Sequence, residues 1–171
     1  VLSLFSKSSF LVSISSSFLE YFHGQVTGRP PQLDLNDEKL CQEFIRAGIL
    51  NNLIISSHDV SDGGLSISLA ECCIQSSKGA SINLSFPDRE DSLLFGEGGS
   101  RIIFSINPKK NSQWLKFLNN EKKKLTKNIY IKKLGVVSED YLNIKNLDKV
   151  LCDLKVTSLT DKFNNAIIEK F

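Results

Sequence analysis

The chain has 171 residues, of which 41% are hydrophobic and 23% are charged, and its formal net charge at pH 7 is +2. This length fits one domain with a real hydrophobic core, and the composition excludes a disordered chain. The small net charge argues against a nucleic-acid-binding domain, and no stretch approaches the roughly 20 apolar residues of a membrane helix. We therefore expect neither nucleic acid nor a membrane as a partner. Methionine is absent, so either the start was removed or this is a piece of a longer polypeptide.

The first half of the chain predicts two strands and three helices. In order, they are a strand at 1–5, a Ser-rich loop at 6–14, a helix from Ser15 to His23, a helix from Asp34 or Asn36 to Ala47, a strand at 53–57, a turn at 58–64 and a helix at 65–75. Ser15, Ser16 and Asp34 are typical N-caps. Gly24 and Gly48 are expected to end their helices, because glycine readily adopts the left-handed conformation found there.

The second half predicts more strands than helices. In order, they are a half-buried strand at 82–86, a glycine-rich loop at 95–100, a strand at 101–106, a helix at 110–121 with Trp114, Leu115, Phe117 and Leu118 inward, strands at 129–137, 141–144 and 150–154, and a helix to about residue 170 that a capping box at 158–161 would open. Helices and strands do not alternate strictly, which favours an α+β domain with a mixed sheet flanked by helices. We expect residues 1–171 to form this single domain, with a strand and loop at 1–14.

Cysteine usage predicts a reduced protein without a metal site. The four cysteines, Cys41, Cys72, Cys73 and Cys152, form no C-x-x-C pair, and the chain has only two histidines. These residues lack the ligand spacing of a zinc site. We expect buried or half-buried thiols, as in a cytoplasmic protein.

The first segment that could carry chemistry is the turn that contains Asp59, Ser61, Gly63 and Gly64. It lies between a strand and a helix, where backbone N–H groups can hold an anion and glycines let a ligand approach the backbone. The Ser61 hydroxyl can donate to a phosphate oxygen. Asp59 and Asp62 would repel a bare anion unless a divalent cation bridges them or they cap the helix. The turn therefore predicts either a substrate or phosphate site or a simple capped helix.

The second segment is the loop that contains Glu97, Gly98 and Gly99. A carboxylate in such a pliable loop can accept hydrogen bonds from an amide or hydroxyl of a small ligand. The pattern matches neither a P-loop nor a dinucleotide fingerprint, so a plain glycine-rich turn is the alternative. No nucleophile elbow or triad order is present, and we predict no catalytic residue in this chain.

Three runs of sequence carry a family resemblance. They are HDVSDGGLSISLAEC from His58, LFGEGGSRIIFSI from Leu94, and Phe22-His23-Gly24 followed by VTGRPPQLDL. They resemble the phosphoribosylformylglycinamidine synthase family, and more narrowly the C-terminal domain of its second half, which is similar to aminoimidazole ribonucleotide (AIR) synthase. The first run is typical of the superfamily. The run from His23 to Leu35 favours this synthase over the AIR, selenophosphate and thiamine-monophosphate enzymes.

The resemblance implies a carbon–nitrogen ligase of purine biosynthesis. Such an enzyme converts formylglycinamide ribonucleotide to its amidine, with ATP, Mg²⁺ and ammonia from glutamine. The resemblance further implies that ATP and Mg²⁺ bind mostly in the N-terminal domains of the same polypeptide, that a glutaminase subunit or domain is a partner, and that this fragment is inactive alone. By the internal pseudo-repeat of the family, it implies that Glu97, Gly98 and Gly99 contact substrate. The family's Gly-Gly-Ser-Glu-Tyr stretch is replaced by Ile14 to Phe18, which argues against a phosphate role there.

Two other interpretations stay open. In the first, this half of the enzyme lines a non-catalytic pseudo-site, and the turn at Asp59 to Gly64 only caps a helix within a scaffold. In the second, the chain comes from another enzyme of the superfamily, such as AIR synthase.

Overall fold

The computed structural model describes residues 1–7, 17–27, 33–86, 89–126 and 129–168. Within these ranges the helices are α1 (Ser17–His23), α2 (Leu35–Leu50), α3 (Gly64–Ser76), α4 (Glu90–Phe95), α5 (Asn111–Lys122) and α6 (Val156–Asn165). The strands are β1 (Leu2–Lys7), β2 (Ile54–Asp59), β3 (Gly79–Asn83), β4 (Ile102–Ile106), β5 (Ile129–Ser138), β6 (Tyr141–Asn146) and β7 (Lys149–Lys155). Mixed parallel and antiparallel pairing, with helices, confirms the predicted α+β class.

The chain divides into two compact units, Val1–Ser68 with Asp88–Lys133, and Leu69–Pro87 with Leu134–Phe171. In unit 1, β4 lies between β1 and β2 and is antiparallel to both, with Leu2 opposite Ser105 and Ser57 opposite Phe104. In unit 2, β3 is antiparallel to β5 and parallel to β6, and β6 is antiparallel to β7. The single domain over residues 1–171 stays a prediction.

Aromatic side chains organise the core of unit 1. Phe44 of α2 is buried, and its ring centroid lies 5.3 Å from Phe5 of β1 and 6.1 Å from both Phe104 of β4 and Trp114 of α5. Such offset and edge-to-face pairs add stability beyond the burial of apolar area. This core holds β4 and α2 in place, and both elements lead directly into the candidate site.

A side chain extends strand pairing in unit 2. Asn146 is buried, and its amide oxygen accepts from the Phe86 N–H (2.9 Å) while its amide nitrogen donates to the Phe86 carbonyl (3.0 Å). Phe86 lies beyond the end of β3, so the Asn146 amide acts there as a strand backbone would.

Helix α2 confirms one predicted boundary and corrects the other. Asp34 is the N-cap, because its side chain accepts from two backbone N–H groups of the first turn. The predicted end at Ala47 is wrong, since Gly48 lies inside the helix. A Cβ at Gly48 would come within 2.8 Å of Ile54 Cγ1, so this glycine permits close packing on β2. The left-handed residue that ends the helix is Asn52, with φ of 55°.

Other boundaries differ from the predictions because packing decides them. The strand predicted at 82–86 runs over Gly79–Asn83, and α4 was not expected. β2 continues through Asp59, so the turn predicted from residue 58 begins later. The capping box at 158–161 is wrong: α6 begins at Val156, whose side chain is buried and whose N–H donates to the Asp140 carbonyl (2.9 Å). Leu115, expected inward, is 50% exposed.

The remaining predicted elements are confirmed within a few residues. These are β1, β2, α3, β4, α5 and β5 to β7. The predicted helix from Ser15 to His23 is found as α1, but its apolar face is not buried. The loop at 8–14 and the proposed caps Ser15 and Ser16 lie outside the described residues.

We expect Asn146→Ala to lower the free energy of unfolding by about 2 kcal/mol, because it leaves the N–H and carbonyl of Phe86 without their amide partner. Urea denaturation of the chain measures this loss. Asn143→Ala is the matched control, since the Asn143 amide donates to Asp153 in an exposed position and should change stability by less than about 0.5 kcal/mol. Equal effects of the two substitutions would contradict the strand-extending role of Asn146.

Candidate functional site

The two predicted segments converge on one pocket in unit 1. The cavity has a volume of about 410 Å³. Of the predicted site residues, those that line it are Asp59, Ser61, Glu97, Gly98 and Gly99. The Val60 N–H donates to the Arg101 carbonyl (3.0 Å), which ties the two segments together through their backbones. The sequence therefore identified both walls of the pocket.

Glu97 connects three segments of the chain. Its Oε1 accepts from the backbone N–H of Gly63 (2.8 Å) and from that of Ser17 (3.0 Å). Gly63 directly precedes α3, and Ser17 is the first residue of α1. The carboxylate at the start of α3 thus comes from the glycine-rich loop, whereas sequence reasoning had considered Asp62 for that role. A phosphate at the Gly63 N–H would have to displace Glu97.

Gly63 and Gly64 shape the turn without lining the pocket. Their φ angles are 75° and 68°, in the left-handed region. A Cβ at Gly64 would lie 2.7 Å from the Phe95 carbonyl carbon and 2.8 Å from the Leu94 oxygen. The absence of a side chain therefore lets the start of α3 approach the end of α4, and the Ser66 hydroxyl donates to the Leu94 oxygen (3.0 Å).

Glu38 is a pocket residue that sequence reasoning missed. It lies one turn into α2, and its Oε2 accepts from both the N–H and the hydroxyl of Ser100, each at 2.9 Å. Ser100 has φ of 59°, so this double hydrogen bond holds a strained residue at the end of the glycine-rich loop. No local pattern marks Glu38, because its partner is 62 positions away.

Arg101 supplies the positive charge of the pocket. Its side chain is buried, and its Nη1 donates to the Gly96 carbonyl (2.7 Å). Burial lowers the pKa of Arg101 to about 10. Because this value is still well above neutral pH, the guanidinium stays protonated.

Carboxylates outnumber this charge. The acidic residues that line the cavity are Glu38, Asp59, Asp62 and Glu97. A surplus of carboxylates repels a polyphosphate and attracts groups that donate hydrogen bonds, such as hydroxyls and amides.

The donor set does not fit a magnesium ion held by this chain alone. Among the described residues, no group of three or more His, Cys, Asp or Glu side chains is arranged to hold a metal. Glu38 and Glu97 already accept backbone N–H groups.

The four cysteines are free thiols, with Cys41 and Cys73 buried and Cys72 and Cys152 half-buried, as expected. Burial, and secondarily the charge of Glu38, raises the pKa of Cys41 to about 12. Burial raises the pKa of Cys73 to about 11. These thiols serve packing.

In the part of the chain that the structure describes, we find no helix with the length and apolar character needed to cross a membrane.

Sequence comparison identifies the family of the domain that contains this pocket. The profile of the "AIR synthase related protein, C-terminal domain" family matches residues 11–127, more than half of the chain. The chain belongs to this family. The matched range contains both walls of the pocket, so the candidate site lies within the family domain.

The chain is also similar in sequence to a segment of much longer enzyme subunits. It is 56% identical over 154 residues to the phosphoribosylformylglycinamidine synthase subunit PurL of Prochlorococcus marinus strain MIT 9312, a match that covers 90% of this chain and 20% of that protein. This confirms the sequence resemblance. The chain thus spans about a fifth of the length of such curated relatives.

Experimental structures share the fold of this AIR synthase related domain. Thermotoga maritima PurL complexed with FGAR superposes with a TM-score of 0.69 at 17% identity, over 94% of this chain and 27% of that one. The same protein complexed with ATP gives a TM-score of 0.67 at 17% identity, over 94% and 25%. At this identity the likeness establishes the fold.

We expect Gly64→Ala to destabilise the chain by about 2 kcal/mol or more, because the new Cβ meets backbone and alanine is strained at positive φ. Gly98→Ala is the control, since a Cβ there would meet nothing within 4 Å. The control should stay within about 0.5 kcal/mol of the parent in urea denaturation. A parent-like Gly64→Ala variant would show that α3 does not need this close approach.

Thiol labelling provides a second check. At about pH 8, a pKa near 12 leaves on the order of one Cys41 in ten thousand as the reactive thiolate. We expect Cys41 and Cys73 to resist an aromatic disulfide reagent in the folded chain and all four thiols to react in denaturant. Mass spectrometry of the labelled peptides identifies each site. Rapid labelling of Cys41 in the folded chain would contradict its burial.

Proposed function

We propose that this chain is one domain of a phosphoribosylformylglycinamidine synthase, the ligase that converts formylglycinamide ribonucleotide to its amidine in purine biosynthesis. The observation that carries the proposal is the 56% identity to a PurL subunit over nine-tenths of the chain. The chain corresponds to only 20% of that relative, so by itself it should not catalyse the reaction. ATP-dependent synthase activity from the 171 residues alone would overturn this assignment.

The rest of the machinery belongs to other parts of the enzyme. We assign ATP and Mg²⁺ to the N-terminal domains of the same polypeptide, the ammonia supply to a glutaminase subunit or domain, and the reaction to the cytoplasm. The surplus of carboxylates in the pocket supports the assignment of the polyphosphate elsewhere. The chain itself supplies no catalytic residue.

The proposed role of this domain is to complete a composite substrate site. Asp59, Glu97 and the backbone of Gly98 and Gly99 line the pocket and present groups that can accept hydrogen bonds. The nucleotide substrate offers ribose hydroxyls and amide N–H groups as donors. Ser61, exposed at the rim, can donate to its phosphate, whereas the Gly63 N–H is occupied by Glu97.

A scaffold role is the second candidate, and a specific observation favours it. Glu97 and Glu38 both use their carboxylates to accept hydrogen bonds from this chain. In a scaffold, these acids would only hold the two loops together, and the pocket would be a pseudo-site without substrate.

Kinetics of the full-length enzyme separate the two roles. We expect Asp59→Asn, which replaces a charged acceptor by a neutral one, and Ser61→Ala, which removes the hydroxyl, to raise KM for formylglycinamide ribonucleotide by about 5- to 30-fold, with KM for ATP unchanged. Both side chains are exposed, so neither substitution should disturb folding. Asp148→Asn is the matched control, because Asp148 is an exposed acid in the turn between β6 and β7. Unchanged kinetics in both pocket variants would favour the scaffold.

A further inference from the structure

The two glycines that line the candidate pocket lie between two anchored residues. Glu97 precedes them and accepts from two backbone N–H groups, and Ser100 follows them and is only 7% exposed. Within the described ranges, the backbones of Gly98 and Gly99 form no hydrogen bond of their own. A Cβ at Gly98 would meet nothing within 4 Å, so no neighbouring atom confines this residue on that side. The conformation of the glycine pair therefore depends on the residues at its two ends.

Ser100 adopts a backbone conformation that serine disfavours. Its φ of 59° lies in the left-handed region, where a Cβ is crowded. Glu38 Oε2 accepts from both the N–H and the hydroxyl of Ser100, each at 2.9 Å. A charged acceptor makes such bonds about twice as strong as a neutral one does. These two bonds offset the strain, so Glu38 determines where the end of the glycine-rich loop lies.

Helix α2 holds Glu38 in place. Its second oxygen, Oε1, accepts from Gln42 Nε2 (2.9 Å), one turn later in the helix. Position 38 also lies on the same helix face as Cys41 and Ile45, which are buried in the core of unit 1. A group on a packed helix holds its partner more precisely than a group on a loop does. Glu38 therefore transmits the rigidity of the core to the loop.

The Glu38 carboxylate is largely occupied, although the residue lines the pocket. A carboxylate offers about four acceptor positions, and Gln42 and Ser100 use three of them. Little capacity is left for a ligand. This distinguishes Glu38 from Asp59, another acid of the pocket, whose exposed side chain can reach a ligand directly.

We propose that Glu38 is a positioning residue for the substrate. Through Ser100, it holds the backbone of Gly98 and Gly99 in the conformation that binds formylglycinamide ribonucleotide. The inference rests on the proposed function, which makes this pocket part of a substrate site. Glu38 itself makes no contact with the substrate.

Steady-state kinetics of the full-length enzyme test this role. We expect Glu38→Gln to raise KM for formylglycinamide ribonucleotide about tenfold, because a displaced loop loses binding that substrate and transition state share. The values of kcat and of KM for ATP should stay within about twofold of the parent. Glutamine keeps the shape of the side chain and makes the acceptor neutral, so the fold is preserved.

Glu43→Gln is the matched control. Glu43 is an exposed acid of the same helix and pairs with Lys39 (3.9 Å), so its loss of charge should leave all three constants unchanged. An unchanged KM in Glu38→Gln, or an equal rise in the control, would overturn the proposal. So would a lower kcat at unchanged KM, which is the result expected if Glu38 only keeps the enzyme folded.

A double-mutant cycle tests whether Glu38 acts through Ser100. Ser100→Ala removes the hydroxyl and keeps the N–H, and it should raise KM for the substrate about fivefold. Adding Glu38→Gln to this variant should raise KM by only about threefold more, because one of the two bonds is already lost. A full further tenfold rise would show that the two residues act independently, against the proposal.

Hydrogen exchange provides a readout that does not require activity. Mass spectrometry of the intact full-length enzyme follows the Ser100 amide, whose acceptor is Glu38. We expect Glu38→Gln to speed exchange at Ser100 about tenfold, because the end of the loop opens more often, and Glu43→Gln to leave it unchanged. Unchanged exchange in Glu38→Gln would contradict the anchoring role.

The activity of the parent enzyme separates the two ideas. If the parent is an active synthase, and Glu38→Gln speeds exchange at Ser100 without changing KM, Glu38 belongs to a scaffold and only the positioning inference is refuted. If the parent has no synthase activity, the proposed function is refuted, and the substrate role of Glu38 falls with it.

Discussion

The candidate site depends on the two hydrogen bonds that the Glu97 carboxylate accepts from backbone N–H groups. Its Oε1 accepts from Ser17 and from Gly63, which lie 80 and 34 positions away in the chain. One acid thereby fixes the start of α1 and the turn before α3 relative to the glycine-rich loop. A charged acceptor forms stronger hydrogen bonds to backbone N–H groups than a neutral one. Gly64, next to the Gly63 donor, is needed because a Cβ there would collide with the backbone of Leu94 and Phe95.

The charge of the pocket limits what it can bind. Four carboxylates face one guanidinium, and the carboxylates of Glu38 and Glu97 already have partners within the chain. A bare anion would meet repulsion, while hydroxyls and amides would find acceptors. The same internal hydrogen bonds would serve a scaffold equally well, because they stabilise the loops whether or not a ligand arrives. The chemistry of the remaining groups, Asp59, Ser61 and Asp62, therefore decides between the two roles.

Local patterns predicted much of the fold and both walls of the pocket. The N-cap Asp34 and the alternation of apolar residues in β6 are properties of short segments, and so they can be read from sequence. Features that depend on distant partners could not. In the sequence, Gly48 is typical of a helix end, and only its packing against Ile54 explains why it lies inside the helix. No local pattern indicates that Glu38 accepts hydrogen bonds from Ser100. The sequence of α4 has one weak sign of a helix, the acidic residues Glu90 and Asp91 in its first turn before two leucines. The helix has only six residues, which is too short for a clear apolar period.

The pairing of β1 with β4 has a consequence for synthesis on the ribosome. Leu2 and its neighbours in β1 lie opposite residues around Ser105. At about 5–20 residues per second, roughly 100 residues take on the order of 5–20 s to emerge after β1. During that interval β1 is an apolar strand whose β4 edge is unoccupied, a state prone to pairing with the wrong chain. The nascent chain would therefore benefit from a chaperone until β4 leaves the exit tunnel.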